Sequence, residues 1–403
     1  MAVDIARVRS SFPALVEGGV AYFDGPGGSQ VPRQVAEAVA TTMTAGVSNR
    51  GTTTRSERRA DQVVTDARAA VADLLGCPPN GVVFGRSMTQ LTYDVSRTLA
   101  RTWGPGDEVV VTRLDHDANI RPWVTAAEGA GATVRWVGFD RETAELAPAD
   151  LDEALSPRTR LLAVTAASNL LGTRPDLAGI VEAAHAHGAL VYVDGVHLTP
   201  HAPVDVASLG ADFFACSPYK FLGPHLGVLA ADPGLLDDLH PDKLLPSSNA
   251  VPERFELGTL PYELLAGVTA AVDFLADLAS NASDRRGRVL ESMAALEERE
   301  ERLLGRMLDG LASTEGVTLY GTPKRRTPTV LFTVDGHSPR VVHEHLAGLD
   351  VNAPGGHFYA IEASRWLGLG DEGGVRAGIA PYTTEDEVDR LVRGVRDLSK
   401  RPR

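Results

Sequence analysis

Between Val82 and Ala230 the chain repeats one unit: a short apolar run, a cluster of turn residues, then a stretch with helical spacing. The runs are Val82–Phe84, Val109–Val111, Thr133–Val137, Leu161–Thr165, Leu190–Val193, Phe213–Cys216 and Val228–Ala230. Helical stretches fall at Gln90–Arg101, Pro122–Gly129, Asp176–His187 and, briefly, Val206–Leu209. Short continuous apolar runs bounded by turn signals suit buried strands. Strands alternating with helices predict an α/β fold whose seven-stranded sheet is mostly parallel and doubly wound. That choice also constrains function, because ligands in such sheets bind at the carboxyl ends of the strands.

Residues 1–20 read as a short helix feeding a strand at Val20–Phe23, followed by the glycine-rich loop Asp24-Gly25-Pro26-Gly27-Gly28-Ser29. Helices are predicted at Pro32–Thr44 and Ala60–Leu75, separated by the polar loop Asn49–Ser56. A long helical region runs from Leu260 to Leu311, and its charged part, Asp284–Arg306, reads as a solvated face. Beyond it lie strands at Val317–Tyr320, Val330–Val334 and Val375–Ile379, with helices at Pro339–Leu349 and Glu385–Leu398. The expected division is a large domain over 21–258 and a smaller α+β domain from 1–20 and 259–403. A chain of 403 residues has ample material for both cores.

The net charge of −14 argues against nucleic acid or an anionic membrane as partner. Two cysteines, Cys77 and Cys216, make neither a disulfide framework nor a metal cluster. No basic stretch followed by an apolar core opens the chain, and no apolar run approaches the ~20 residues of a membrane span. A cytoplasmic protein acting on a small molecule, without a metal, is the expectation.

Within Ala189–Leu229 one apolar run ends in Asp194 and the next leads to Ser217 and Lys220. The chain holds only four lysines, at 220, 243, 324 and 400, against 35 arginines. Lys220 alone sits among apolar residues, where desolvation would lower its pKa toward nucleophilic use. An acid and a lysine at neighbouring strand ends are what pyridoxal phosphate requires. The lysine forms a Schiff base, and the acid keeps the pyridine nitrogen protonated.

Other polar residues fall at the same edge. Phe84 is followed by Gly85-Arg86-Ser87-Met88-Thr89-Gln90, a strand-turn-helix able to hold a phosphate through its N–H groups and the Thr89 hydroxyl. Leu114-Asp115-His116-Asp117-Ala118-Asn119 follows Val111, Ser168-Asn169 follows Thr165, and Gly195-Val196-His197 follows Asp194. This order resembles the class V aminotransferase group of fold-type I pyridoxal-phosphate enzymes, in its cysteine desulfurase-like branch. The likeness runs from Tyr22-Phe23-Asp24 to the last helix. It implies that His116 stacks on the pyridine ring, Asp194 pairs with the ring nitrogen, and Lys220 carries the cofactor. It further implies that Asn169 and His197 address the phenolic oxygen, where desulfurases usually carry Gln for the latter. Ser87, Met88, Thr89, Ser217 and Tyr219 would surround the phosphate. Arg254-Phe255-Glu256-Leu257-Gly258-Thr259 resembles the stretch whose Thr, here Thr259, reaches the phosphate of the other subunit, which implies a homodimer. Arg376 would clamp the substrate α-carboxylate, a task suited to a planar bidentate donor.

The chain departs from that pattern at three places. Tyr219 stands where desulfurases have the histidine of Ser-x-His-Lys. Gly356-His357-Phe358-Tyr359-Ala360 stands where the nearest subgroup has Gly-His-His-Cys-Ala, and Pro354 stands near the place of an arginine. A desulfurase needs a mobile thiolate, and neither cysteine resembles that position. The resemblance without the cysteine implies a lyase that cleaves the C–S bond of an S-substituted cysteine by β-elimination. In it Lys220 is the base at Cα and Tyr359 is a proton donor. His357 lies beside the leaving group, and Arg33 and Arg55 are candidates to meet a distal acidic group. Aminotransfer, epimerisation and decarboxylating oxidative deamination stay open, as does a non-catalytic cofactor-binding protein.

Overall fold

The computed structural model describes residues 2–16 and 18–401. Its centre is a seven-stranded sheet in the order Val82–Gly85, Gly227–Ala231, Phe213–Cys216, Leu190–Asp194, Thr159–Thr165, Glu108–Thr112, Thr133–Val137. Gly227–Ala231 is antiparallel to both of its neighbours, and the remaining pairings are parallel. Successive side chains leave opposite faces, so each strand feeds two cores. Val191, Val193 and Phe214 pack with helices Arg55–Leu75 and Tyr262–Ala276. Tyr192, Phe213 and Ala215 pack with helices Met88–Ala100 and Arg121–Ala130 on the other side. With both faces covered, the strands must be apolar throughout.

Helix Arg55–Leu75 starts five residues before the predicted Ala60, because Thr54 and Glu57 form a capping box that satisfies its first N–H groups. Inside it, Arg68 pairs with buried Glu256, whose carboxylate also accepts the Phe84 N–H at 3.0 Å. This ties the edge strand to the segment after the sheet. The long helical region over 260–311 is two helices, Tyr262–Ala276 and Arg285–Ala312, the second capped by Asp284. Its charged stretch is not wholly solvated, since Val289, Met293, Leu296 and Glu300 are all buried along it.

The second core is built on an antiparallel sheet in the order Gly355–Gly356, Gly374–Gly378, Thr329–Val334, Val317–Tyr320. Helices Pro339–Ala347 and Glu385–Ser399 and the end of Arg285–Ala312 cover it. The strand expected at Val20–Phe23 is two residues, Ala21–Tyr22, paired in parallel with Val351–Asn352. Ala21 and Phe23 are buried in this second core. Among the described residues no helix is long and apolar enough to cross a membrane. None of their His, Cys, Asp and Glu side chains cluster as a metal site would need.

Candidate active site

The sheet brings Asp194 and Lys220 together by register. Asp194 ends Leu190–Asp194 opposite Ala215, and one residue beyond Cys216 the chain turns through the 3-10 segment Pro218–Lys220. Gly195 follows Asp194 where any Cβ would meet the Phe214 ring at 2.0 Å, so only glycine allows this turn to close on the sheet. Asp194 is 4% exposed, and its Oδ1 accepts the Val196 N–H at 2.9 Å. Burial pushes its pKa up to about 6. The same burial, with Arg376 nearby acting the same way and Asp194 opposing, lowers Lys220 to about 7. The Lys220 amine donates to the Pro26 carbonyl in the glycine-rich loop.

His116 faces the same space. Its Nδ1 accepts the Ala118 N–H at 3.0 Å, which leaves the proton of the neutral ring on Nε2. Burial, then Lys220 and Arg376, lower its pKa to about 3, so the ring is neutral. Behind it, buried Asp115 accepts from Asn119 at 2.7 Å and from the Thr112 hydroxyl, and Asn119 in turn accepts the Trp123 indole N–H at 3.1 Å. Asn169 donates to the Phe358 carbonyl at 3.0 Å while its Oδ1 is buried without a partner. His197 holds Nε2 at 3.0 Å from Thr329 Oγ1, and its Nδ1 is likewise buried and unpartnered. Arg376 donates to the Asn169 carbonyl at 3.0 Å, and its guanidinium lies 3.8 Å from the Phe358 ring centre. Burial lowers its pKa to about 9.

These groups line two adjoining spaces. An outer cavity of about 640 Å³ is bounded by Pro26, Tyr93, His116, Phe358, Tyr359 and Arg376, with Lys220 and Asn169 on its floor. A small inner chamber of about 50 Å³ shares Lys220, His116, Asn169, Thr89 and Tyr219 and adds Asp194, His197, Met88 and Ser217. Helix Met88–Ala100 points its N-terminus here. The Ser87 hydroxyl is spent as its cap, accepting the Gln90 N–H at 3.1 Å, while Met88 and Thr89 line the chamber. Gly227 permits this approach, since a Cβ there would lie 2.2 Å from the Ser87 carbonyl carbon. A helix N-terminus suits a phosphate, a buried acid a protonated ring nitrogen, and a low-pKa amine a Schiff base. The orphaned Asn169 Oδ1 and His197 Nδ1 lack partners that a polar ligand would supply. The residues fit pyridoxal phosphate.

Several sequence candidates stand apart from this cavity. Arg33 and Arg55 open their helices facing solvent and line neither space. Thr259 lines a separate surface cavity of about 810 Å³ with Phe84, Arg86 and His225. His357 uses Nδ1 to accept the Tyr359 N–H at 3.1 Å, holding the loop rather than lining the space. Tyr359 does line it, 70% exposed, with its ring 5.5 Å from that of His116. Tyr219 borders both spaces and stacks on His225 at 4.8 Å.

Sequence reasoning missed Phe358, Tyr93, Asp117 and Arg121, all of which line the outer cavity. Asp117 and Arg121, four apart, form an ion pair at 2.8 Å that also engages Glu362. That spacing was a usable signal. Neither cysteine borders either space. Cys216 ends a buried strand, and burial raises the Cys77 thiol to about 12.

Comparison with known proteins gives the same picture. The model of the family described as Aminotransferase class-V matches residues 21–391. An uncharacterized protein of Mycobacterium tuberculosis is 36% identical, over 99% of this chain and 100% of that protein. The aminotransferase-like protein FGM3 of Gibberella zeae is 32% identical over 96% of each chain. Among solved structures, the cysteine desulfurase CsdA of Escherichia coli superposes with a TM-score of 0.86 at 28% identity, covering 99% of both chains.

Proposed function

The chain belongs to the class-V aminotransferase family and is a pyridoxal-phosphate enzyme of the aminotransferase and desulfurase type, and from that premise we propose that it is a C–S lyase. Its substrate is an S-substituted L-cysteine, cleaved by β-elimination without a persulfide on the protein. The observation that carries this reading is that Cys77 and Cys216 both lie outside the cavity while Tyr359 borders it. A thiol held up at about 12 by burial, as Cys77 is, makes little of the thiolate that sulfur transfer needs.

Pyridoxal phosphate, when bound, supplies a ring that takes up the electron pair left when the Cα–H bond breaks. The protein's own residues do the rest. Arg376 binds the α-carboxylate, its plane fixed between the Asn169 carbonyl and the Phe358 ring. With the cofactor bound, Asp194 would hold positive charge at the ring nitrogen, and His116, neutral in its buried setting, would lie against the ring without adding charge. Lys220 receives the α-proton; a base so positioned contributes about 10²–10⁴-fold. Tyr359 protonates the departing thiolate. The helix N-terminus at Met88 and Thr89, with Ser217 and Tyr219, holds the phosphate, and Thr259 serves the neighbouring copy's site in a homodimer.

The test is product analysis of the cofactor-loaded protein with a panel of S-substituted L-cysteines. Pyruvate and thiol in equal amounts are expected. Alanine with protein-bound persulfide would refute the reading. Pyridoxamine with a keto acid would make it a transaminase, and an aldehyde with carbon dioxide would make it a decarboxylating deaminase.

A further inference from the structure

His197 sits where the two domains meet behind the inner chamber. Its ring is 2% exposed and borders the space that holds Asp194 and Lys220. Its Nε2 lies 3.0 Å from the hydroxyl of Thr329, the first residue of the small-domain strand Thr329–Val334. The charged and titratable groups around it are His201 on its own turn, Lys220 after the next strand, Arg376 from the small sheet and Asp194 across the chamber. Burial, then His201, Lys220 and Arg376, lower its pKa well below the ordinary value. The ring is therefore neutral and carries one N–H.

Thr329 decides which nitrogen has it. The Thr329 hydroxyl is fully buried, and among the described residues His197 Nε2 is its one hydrogen-bond partner. If Nε2–H donated to Oγ1, the hydroxyl proton would be buried without an acceptor, a costly arrangement. If the hydroxyl donates to Nε2, the hydroxyl and Nε2 are both satisfied, and the imidazole proton moves to Nδ1, the one donor left for a ligand to meet. That atom is the buried, unpartnered one. Ring orientation is held from the other side by His201, edge-on at 5.3 Å and anchored to buried Glu300 at 2.9 Å.

We propose that Thr329 is a positioning residue of the cofactor site, donating to His197 Nε2 and so turning the Nδ1–H of that ring toward the phenolic oxygen of bound pyridoxal phosphate. A residue of the small domain thereby sets the hydrogen bond offered to the cofactor by the large one. The proposal rests on the pyridoxal-phosphate reading of the site and not on the substrate, so its failure would leave C–S cleavage standing, and the reverse.

Two measurements on the cofactor-loaded protein test it. With histidine labelled by nitrogen-15, the ring signals of His197 are those lost in His197→Gln. The pattern of an Nδ1–H ring is expected, and an Nε2–H or doubly protonated ring would overturn the proposal. Second, the visible absorbance band is titrated with pH. A donor to the oxygen favours its anionic form, so Thr329→Val should raise the midpoint by about one pH unit, a tenfold change in proton affinity. Thr329→Ser should restore it, and the Val effect should vanish in a His197→Gln background. An unmoved midpoint, or a shift that persists without His197, would overturn the proposal. Should Thr329→Val not fold, the nitrogen spectrum of the unmutated protein decides alone.

Discussion

On the inner side of the cleft, Asp194, His197 and Lys220 leave the ends of adjacent strands and are at most 9% exposed. On the outer side, Tyr359 is 70% exposed and rides on a loop fixed by single bonds from Asn169 to the Phe358 carbonyl and from the Asp117 N–H to the Tyr359 carbonyl. Burial sets the charge of every inner group: an amine whose pKa is near 7, a neutral imidazole, an acid raised but still able to pair. Those states serve any reaction that begins by removing the α-proton. The outer groups keep contact with water. Under the proposed C–S lyase reading, they are where the substrate's fate after that step would be decided.

The largest effect should come from the inner wall. Lys220→Ala is expected to lower turnover by about 10²–10⁴-fold while the chain still folds, measured by product formation and circular dichroism. Near-normal turnover would break the comparison at its root. A pH experiment sharpens it. The neutral amine is the nucleophile, and the Lys220 pKa is lowered from 10.5 to about 7. In cofactor-free protein, the rate of cofactor loading should therefore rise with pH and level off above about 7. A rate that keeps climbing to pH 10 would mean an ordinary, solvated lysine.

Arg376→Lys should act next, raising KM about tenfold with less effect on kcat, because an ammonium cannot replace a planar two-point donor stacked on Phe358. Equal loss in both constants would place Arg376 in the chemical step instead. Tyr359→Phe should be smallest, slowing thiol release by about tenfold or less, since water reaches that position. Exchange of the α-proton with deuterated solvent should continue unchanged. Slower exchange would move Tyr359 to the inner group, and unchanged turnover would remove its role as proton donor.

What the sequence disclosed follows the same division. Strand ends are legible because a doubly covered strand must be apolar throughout, so Asp194 and Ser217 mark the points where the runs stop. Lys220 was legible through scarcity. Thr54 and Glu57 carried a capping-box spacing that would have placed the helix start correctly. Phe358 had no such signal. Its stacking on Arg376 depends on backbone angles and on Asn169, almost two hundred residues away, and an aromatic side chain in a loop reads the same whether or not it meets a guanidinium. The partnering of Ala21–Tyr22 with Val351–Asn352 was equally hidden, because two-residue strands have no periodicity to read.

Phe358 and Tyr359 both adopt left-handed backbone, with φ of 52° and 59°, a conformation that costs a non-glycine residue on the order of 1–3 kcal/mol. An engineer screening this protein for a higher melting temperature would be led to those two positions, where glycine or asparagine relieves the backbone. The hardier protein would have lost the stack on Arg376 and the hydroxyl at the cavity mouth. Heat tolerance and activity are thus set against each other at two adjacent residues, and a thermostability campaign should leave both alone.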